Sequence, residues 1–251
     1  MGTHLLLLGS IFAISLVLTM VGLGGGLIFS PLFMLLDFPR DQAVAASLFL
    51  NGVAAVSASW VYFRKKMVDV PLSLPLVGAS MLGAPLGAWC THLVRLEVFL
   101  LALAGILLLA AVRMLWGGRP DPGQGTVSTA RKVAGGAAIG LVIGFVGGML
   151  GIGGGVFVVP LLIYFLKVPT KTAAASSIFI VCFSSFSAFA THASLAHLDW
   201  GFILGAAAFS FAGGQVGSRI MAEKLKGRTI RIIFAGVLVV MCAKLLWRVW
   251  G

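Results

Sequence analysis

The chain has 251 residues, of which 60% are hydrophobic and only 10% are charged, and its formal net charge is +11. Soluble domains carry about a quarter charged residues, so this composition excludes a soluble enzyme and a disordered chain. The excess of Lys and Arg forms no basic stripe and no aromatic-basic module, which argues against a nucleic-acid partner. We therefore expect an integral membrane protein embedded in the lipid bilayer.

Eight apolar segments follow one another along the chain in two sets of four. They cover 4–36, 42–63, 70–94 and 98–116, and then 133–166, 172–194, 200–222 and 232–250. Six of them suit single crossings, which need about 20 residues. The first of each set is too long, because a straight helix over 4–36 would measure roughly 50 Å against a hydrocarbon core of roughly 30 Å. Each long segment contains a glycine cluster and then a proline, so we predict a long arm, a glycine tip and a short arm of about ten residues.

The two sets are copies of each other. Residues 21–33 read VGLGGGLIFSPLF and residues 150–162 read LGIGGGVFVVPLL. Further matches along the chain keep an offset of 129 to 131 residues. This internal repeat predicts two homologous transmembrane repeats, 1–118 and 131–251, joined by a Gly/Pro-rich cytoplasmic linker, 119–130, into one transport unit.

The distribution of basic residues predicts the topology. If the second long segment enters and leaves on one face, four loops share that face and hold twelve Lys and Arg, and the opposite face holds three. If that segment crosses instead, the split is eight against seven, and the positive-inside rule prefers the biased arrangement. Each half then has a broken-helix hairpin plus three transmembrane helices. We therefore predict an all-α integral membrane protein of two inverted-topology repeats, with both termini periplasmic.

The glycine tips are candidate binding elements. Each short arm begins near the middle of the membrane, where its free N–H groups and the positive end of its dipole attract an anion. The residues that we assign to substrate binding at the tips are Gly22, Gly24, Gly25, Gly26, Gly151, Gly153, Gly154 and Gly155. The alternative is close helix packing through small residues, which we favour for Gly83, Gly87, Gly213 and Gly217.

Neutral polar side chains inside the helices extend the candidate site. Ser47 and Asn51 share a helix face at i, i+4 spacing, and Ser47 aligns with Ser177 across the repeat. We add Ser176 and Gln215 as further groups able to bind an oxyanion. The alternative for each serine is a hydrogen bond to the carbonyl four residues earlier.

All seven acidic residues fall in or beside predicted loops, which disfavours a metal-cation substrate, since cation transporters place carboxylates within the membrane. The three cysteines have no metal-ligand spacing, and we expect no metal and no cofactor. His92 and His192 lie near outer helix ends and are candidates for coupling transport to protons. Their alternative role is that of ordinary interfacial residues.

The paired glycine-proline blocks and the Asp-Trp pair at 199–200 resemble the sulfite exporter TauE/SafE family over nearly the whole chain. In the first half Asp69 is followed by Val70 rather than Trp. The resemblance implies a carrier of the bacterial inner membrane for sulfur-containing anions: sulfite, thiosulfate, or organosulfonates such as sulfoacetate. It also implies export, often linked to protons.

The sequence as a whole thus predicts a secondary transporter for a small anion that works by alternating access. A channel-like anion pore and a structural membrane scaffold are the alternatives. An enzyme is disfavoured because no HExxH or GxSxG motif and no intramembrane carboxylate pair occurs. The exact substrate, the direction, the coupling ion and the oligomeric state, a homo-oligomer included, stay open.

Overall fold

The computed structural model describes residues 2–90, 105, 108, 111–112, 129–150, 155–193 and 198–250. Every regular element in these ranges is a helix. In chain order the helices are α1 Gly2–Val21, α2 Gly26–Leu35, α3 Arg40–Arg64, α4 Val70–Cys90, α5 Thr129–Leu150, α6 Gly155–Tyr164, α7 Thr170–Ala193, α8 Trp200–Glu223 and α9 Gly227–Trp250. The predicted all-α class is confirmed for this part of the chain. Most of the predicted segment 98–116 and most of the linker 119–130 lie outside the described residues.

The first long segment is broken where the glycines predict, and in the second a short helix begins at Gly155, after residues 151–154 that lie outside the described ranges; we call this position the second break. α1 ends at Val21 and α2 begins at Gly26, while α5 ends at Leu150 and α6 begins at Gly155. Each short helix has 10 residues, as expected. The prolines do not cause the interruption, because Pro31 and Pro160 both lie inside the short helices.

Helix ends collect at two opposite ends of the bundle. The first end contains Phe38, which follows α2, and Leu198, which precedes α8, in one cluster with Leu8 of α1. α3 begins beside this cluster, because its residue Ala43 belongs to it.

The second end is formed by the loops after α3, α6 and α8. Lys65 Nζ lies 2.7 Å from Glu223 Oε1, and Lys171 Nζ donates to the carbonyl oxygen of Ala222 at 3.2 Å. A Cβ at Gly227 would lie 3.5 Å from Thr170 Cβ. Three of the four loops to which we assigned the basic excess therefore meet at one end.

The halves pack on each other through equivalent helices. Gly83 of α4 lies against the carbonyl oxygen of Leu141 in α5, and Gly213 of α8 lies against that of Phe12 in α1. One helical turn further on, Gly87 and Gly217 make equally close approaches to α5 and α1. Glycine permits these approaches because it has no Cβ. The packing role that we expect for Gly83, Gly87, Gly213 and Gly217 is confirmed.

The core surrounds the short helix α6. Eight of its residues are buried, and six of these belong to a cluster with side chains from α1, α4, α7 and α9. Three helical segments in the described ranges are long and apolar enough to span a membrane, namely Asp41–Arg64, Val70–Cys90 and Thr170–Ala193. Many large apolar side chains face outward, among them Trp60, Leu82 and Trp89, as expected of surfaces that contact lipid.

Candidate functional site at the meeting of the two glycine breaks

The first break is a left-handed glycine loop. Gly22 has φ +88° and Gly24 has φ +69°, a region that L side chains rarely adopt and that glycine enters without strain. Gly25 precedes α2 and provides no side-chain cap. The first N–H groups of α2 therefore have no acceptor within their own helix, and the helix presents the positive end of its dipole.

α7 holds this first break in place. A Cβ at Gly22 would lie 2.7 Å from the Cα of Ala174, so the loop contacts α7 directly. The hydroxyl of Ser177 donates to the carbonyl oxygen of Gly22 at 2.7 Å. Ser177 is fully buried. Its hydroxyl provides a hydrogen-bond donor for the Gly22 carbonyl, which lies in the loop and outside any helical hydrogen-bond ladder.

The second break meets the first at Gly155. A Cβ at Gly155 would lie 2.5 Å from the carbonyl oxygen of Leu23 in the first break. The same Ser177 hydroxyl is 3.4 Å from the carbonyl oxygen of Gly155. The structure thus brings the start of α6 against the loop that precedes α2. The other predicted glycines of this break, Gly151, Gly153 and Gly154, lie outside the described residues.

Asn51 of α3 lies beside the first break. The residue is fully buried, and its Nδ2 donates to Ser185 Oγ of α7 at 2.8 Å. Its Oδ1 lies where a Cβ of Gly24 would be, so glycine makes room for the amide. One turn earlier, the Ser47 hydroxyl donates to the carbonyl oxygen of Gly26 at 3.0 Å.

Hydroxyl contacts repeat between the halves. Ser47 bonds to Gly26, and its repeat equivalent Ser177 lies 3.4 Å from the equivalent Gly155. In the same way Ser57 donates to the carbonyl oxygen of Phe211 at 2.8 Å, and Ser187 donates to that of Met81 at 2.9 Å. The bonds run to neighbouring segments and not to the carbonyl four residues earlier, which was the alternative for Ser47 and Ser177.

Three predicted site residues lie away from these contacts. Ser176 accepts the Asp69 N–H at 3.1 Å near the second end. Gln215 is half-buried on α8, and its Oε1 has no hydrogen-bond partner in the part of the chain described. His192 Nε2 is 3.5 Å from the carbonyl oxygen of Gly148. His92 lies outside the described residues.

The groups that meet at the two breaks are neutral: backbone carbonyls, an amide and hydroxyls. Charges concentrate instead at the second end, where the hydrogen bond and the positive charge of Lys65 lower the pKa of Glu223. A site of this kind presents dipoles and hydrogen-bonding groups to a ligand and no fixed counter-ion. Such a site suits a small anion better than a cation.

Sequence reasoning did not select Ser185 or Val181 for the site. Ser185 was one of several hydroxyls on α7, and nothing in the pattern distinguished the one that contacts Asn51. Val181 is an apolar residue in an apolar helix, yet it contacts both breaks. The repeat offset of 130 residues, which carries Asn51 onto position 181, is the signal that could have found it.

The helical fold, its membrane-length apolar helices and the glycine-lined junction define an integral membrane protein built on broken helices. The family model described as Sulfite exporter TauE/SafE matches residues 7–245. The chain belongs to this family of membrane transporters, as its glycine-proline blocks predict. The family is not an enzymatic one.

Curated relatives agree with this family. The chain is 28% identical to the probable membrane transporter protein YunE of Bacillus subtilis, over 91% of this chain and 92% of that protein. It is 25% identical to a probable membrane transporter protein of Xylella fastidiosa, over 97% and 95%. The sulfite exporter TauE/SafE family protein 3 of Arabidopsis thaliana is 29% identical, over 39% of this chain and 20% of that protein. No solved structure matches the chain.

Proposed function

We propose that this protein is a secondary transporter that moves a small sulfur-containing anion, sulfite or an organosulfonate such as sulfoacetate, across the bacterial inner membrane. Transport occurs by alternating access, in the direction of export and coupled to protons. The observation that carries the proposal is the contact between the two breaks, where Gly155 at the start of α6 lies against Leu23.

An anion is the ligand that this junction fits. The start of each short helix contributes a partial positive charge of roughly half a unit, and two starts together offset about one negative charge. Buried Asn51 adds a neutral amide for the oxygens of a sulfite or sulfonate, and the buried hydroxyls of Ser47 and Ser177 position the backbone of the breaks by donating to the carbonyls of Gly26 and Gly22. We assign the substrate site to these three residues and to the glycines of both breaks. Ser176 and Gln215 then line the path to it.

Our reason for proposing a sulfur-containing substrate is the family to which the chain belongs. The matching family model is described by sulfite export, and one plant relative carries the same description in its name. The B. subtilis and X. fastidiosa relatives are named only as probable transporters. We extend the substrate to organosulfonates because they present the same oxyanion head.

Alternating access requires an arrangement that can open to either side. We propose that residues 1–118 and 131–251 are inverted-topology repeats. Two features support this: Leu8 near the start of α1 and Phe38 after α2 pack against one cluster, and the equivalent contacts of Gly83 and Gly213 pair each half with the other. Rocking of one half against the other then exposes the site alternately to the two ends.

The basic residues orient the protein. The second end carries Lys65, Lys171 and further Lys and Arg of the adjoining loops, so it is cytoplasmic by the positive-inside rule. Both termini are then periplasmic. His92 and His192 are the proton-coupling candidates near the outer face, and the partners of the protein are its anion, protons and the bilayer.

Reconstitution into proteoliposomes tests the proposal. The purified protein is assayed for accumulation of sulfite, thiosulfate, sulfoacetate, taurine and sulfate against a gradient, with and without a pH difference. Accumulation of a sulfur-containing anion driven by the pH difference is the expected result. Equilibration without accumulation would instead indicate a channel-like anion pore, and no flux for any of the five would overturn the proposal. A thermal-shift screen of the same anions reports binding independently of flux.

A further inference from the structure

α8 belongs to the second half of the chain but packs tightly on helices of the first. Gly213 lies against the backbone of α1, and Gly214 lies against the carbonyl oxygen of Ala54 in α3. The Oγ atoms of Ser15 in α1 and Ser210 in α8 are 2.8 Å apart, and both residues are fully buried. α8 therefore forms one closely packed body with α1 and α3.

α4 packs on the second half in the equivalent way. Gly144 of α5 lies against the carbonyl oxygen and Cα of Ser80 in α4, so the two backbones are in direct contact. α7 is joined to α4 as well, because the Ser187 hydroxyl donates to the carbonyl oxygen of Met81 at 2.9 Å. α4 therefore forms a second body with α5 and α7.

The proposed substrate site lies where these two bodies meet. Asn51 of α3 donates to Ser185 Oγ of α7 at 2.8 Å, and Ser177 of α7 donates to the carbonyl oxygen of Gly22 at 2.7 Å. A secondary transporter holds its substrate between the parts that move. A boundary through these contacts leaves the glycine contacts of α1 with α8 and of α4 with α5 intact, whereas a boundary between the sequence halves would cut both.

We infer that the two halves exchange α4 and α8, so that the parts that rock against each other are not residues 1–118 and 131–251. The first body consists of α1, α2, α3 and α8, and the second body consists of α4, α5, α6 and α7. Interlocked backbones do not slide past each other continuously, so each body moves as a whole. The inference rests on the proposed alternating access and names its moving parts.

Two cysteine pairs at the second end distinguish the bodies from the halves. K65C/E223C replaces the ion pair, joins the two halves and lies within the first body. K171C/A222C replaces the contact between Lys171 and the Ala222 carbonyl, lies within the second half and joins the two bodies. One bis-methanethiosulfonate reagent about as long as a lysine side chain crosslinks either pair. Both variants are made in a background in which alanine replaces the native cysteines Cys90, Cys182 and Cys242.

Anion flux in proteoliposomes is measured before crosslinking, after crosslinking and after reduction of the crosslink. We expect crosslinked K65C/E223C to retain its flux. Crosslinked K171C/A222C should lose its flux and regain it on reduction. Rocking of the sequence halves gives the opposite pattern and overturns the inference, and so does the same response in both pairs.

A second measurement needs no flux. Spin labels at Trp60 of α3 and Val216 of α8, exposed residues of the first body, should keep one distance as the pH and the anion are varied. Labels at Trp60 and Leu82 of α4 should change theirs, because the two residues lie on different bodies. A changing distance in the first pair, or a fixed distance in both, overturns the inference. Failure of the proposed function is distinguishable, because the wild type then moves no anion while the labels still report which helices move together.

Discussion

The hydroxyl of Ser177 donates to the carbonyl oxygen of Gly22, 155 residues earlier in the chain, at 2.7 Å. The carbonyl oxygen of Gly155, in its own half, is farther away at 3.4 Å. A hydroxyl has one proton to donate, so the stronger bond joins α7 to the break of the other half. The buried Ser177 side chain therefore links the two halves at their point of contact.

Removing this hydroxyl should destabilise the protein. S177A leaves the Gly22 carbonyl buried without its donor, and we expect a loss of about 1–3 kcal/mol in the free energy of unfolding. Thermal unfolding in detergent measures the loss as a lower Tm. S47A is the control, since Ser47 bonds within one half; it should reduce stability but leave the contact between the halves. Wild-type stability in S177A would contradict the linking role.

A side chain at Gly24 should abolish transport. G24A places a Cβ on Asn51 Oδ1 and forces alanine to φ +69°, which alone costs about 1–2 kcal/mol. We expect the variant to insert into the membrane but to lose anion flux in proteoliposomes. G205A is the control, because a Cβ at Gly205 meets nothing within 4 Å. Normal flux in G24A would exclude the break from the substrate site.

The close contacts between halves predict a folding defect. A Cβ at Gly87 would overlap with the carbonyl oxygen of Phe145, and one at Gly217 with that of Leu16. Backbone cannot move aside cheaply, so G87A and G217A should each destabilise by about 1–3 kcal/mol or more. Size-exclusion chromatography and Tm report the loss of folded protein. G78A, on the same helix with nothing within 4 Å, should be neutral or slightly stabilising.

The Lys65–Glu223 pair should make a small pH-dependent contribution to stability. Lys65 lowers the pKa of Glu223, so the folded state favours the ionised carboxylate. The contribution is then present above the ordinary carboxyl pKa and disappears as the pH falls through the lowered pKa of the folded state. Because the pair is exposed, salt should weaken it.

E223Q measures this contribution. The difference in Tm between wild type and E223Q should be largest near neutral pH in low salt and should vanish at acidic pH. K65Q should reproduce the effect of E223Q, and the double variant should add nothing further. A difference in Tm that grows towards acidic pH would contradict the assigned sign.

Some of this architecture could be predicted from residue patterns because backbone chemistry controls it. Gly22 and Gly24 interrupt the first long apolar segment, where the structure has a break, and the second short helix begins at Gly155. Gly83 and Gly213 were predicted to pack helices, and both do. Each of these predictions depended on what a missing Cβ permits, which is a local property.

Contacts between distant helices could not be predicted in this way. α7 mixes apolar residues with several hydroxyls and has little amphipathic periodicity, so the pattern does not reveal which of its faces meets the breaks. Ser185 and Ser187 look alike in the chain, yet one pairs with Asn51 and the other with the Met81 carbonyl. The prolines were also misleading, because Pro31 fits inside α2.

The packing of α1 on α8 and of α4 on α5 has a consequence for biosynthesis. When α1 leaves the ribosome, its partner helix α8 has not been synthesised. The glycines of α8 that pack against α1 lie some 200 residues downstream. α4 likewise has no packing partner until α5, which follows the linker, has been synthesised. The nascent first half therefore has two uncovered surfaces until α5 is made, and its α1 surface stays uncovered until α8 is made near the end of translation. A chain truncated before α8 is therefore expected to expose the face of α1 that Gly213 and Gly217 cover in the complete fold.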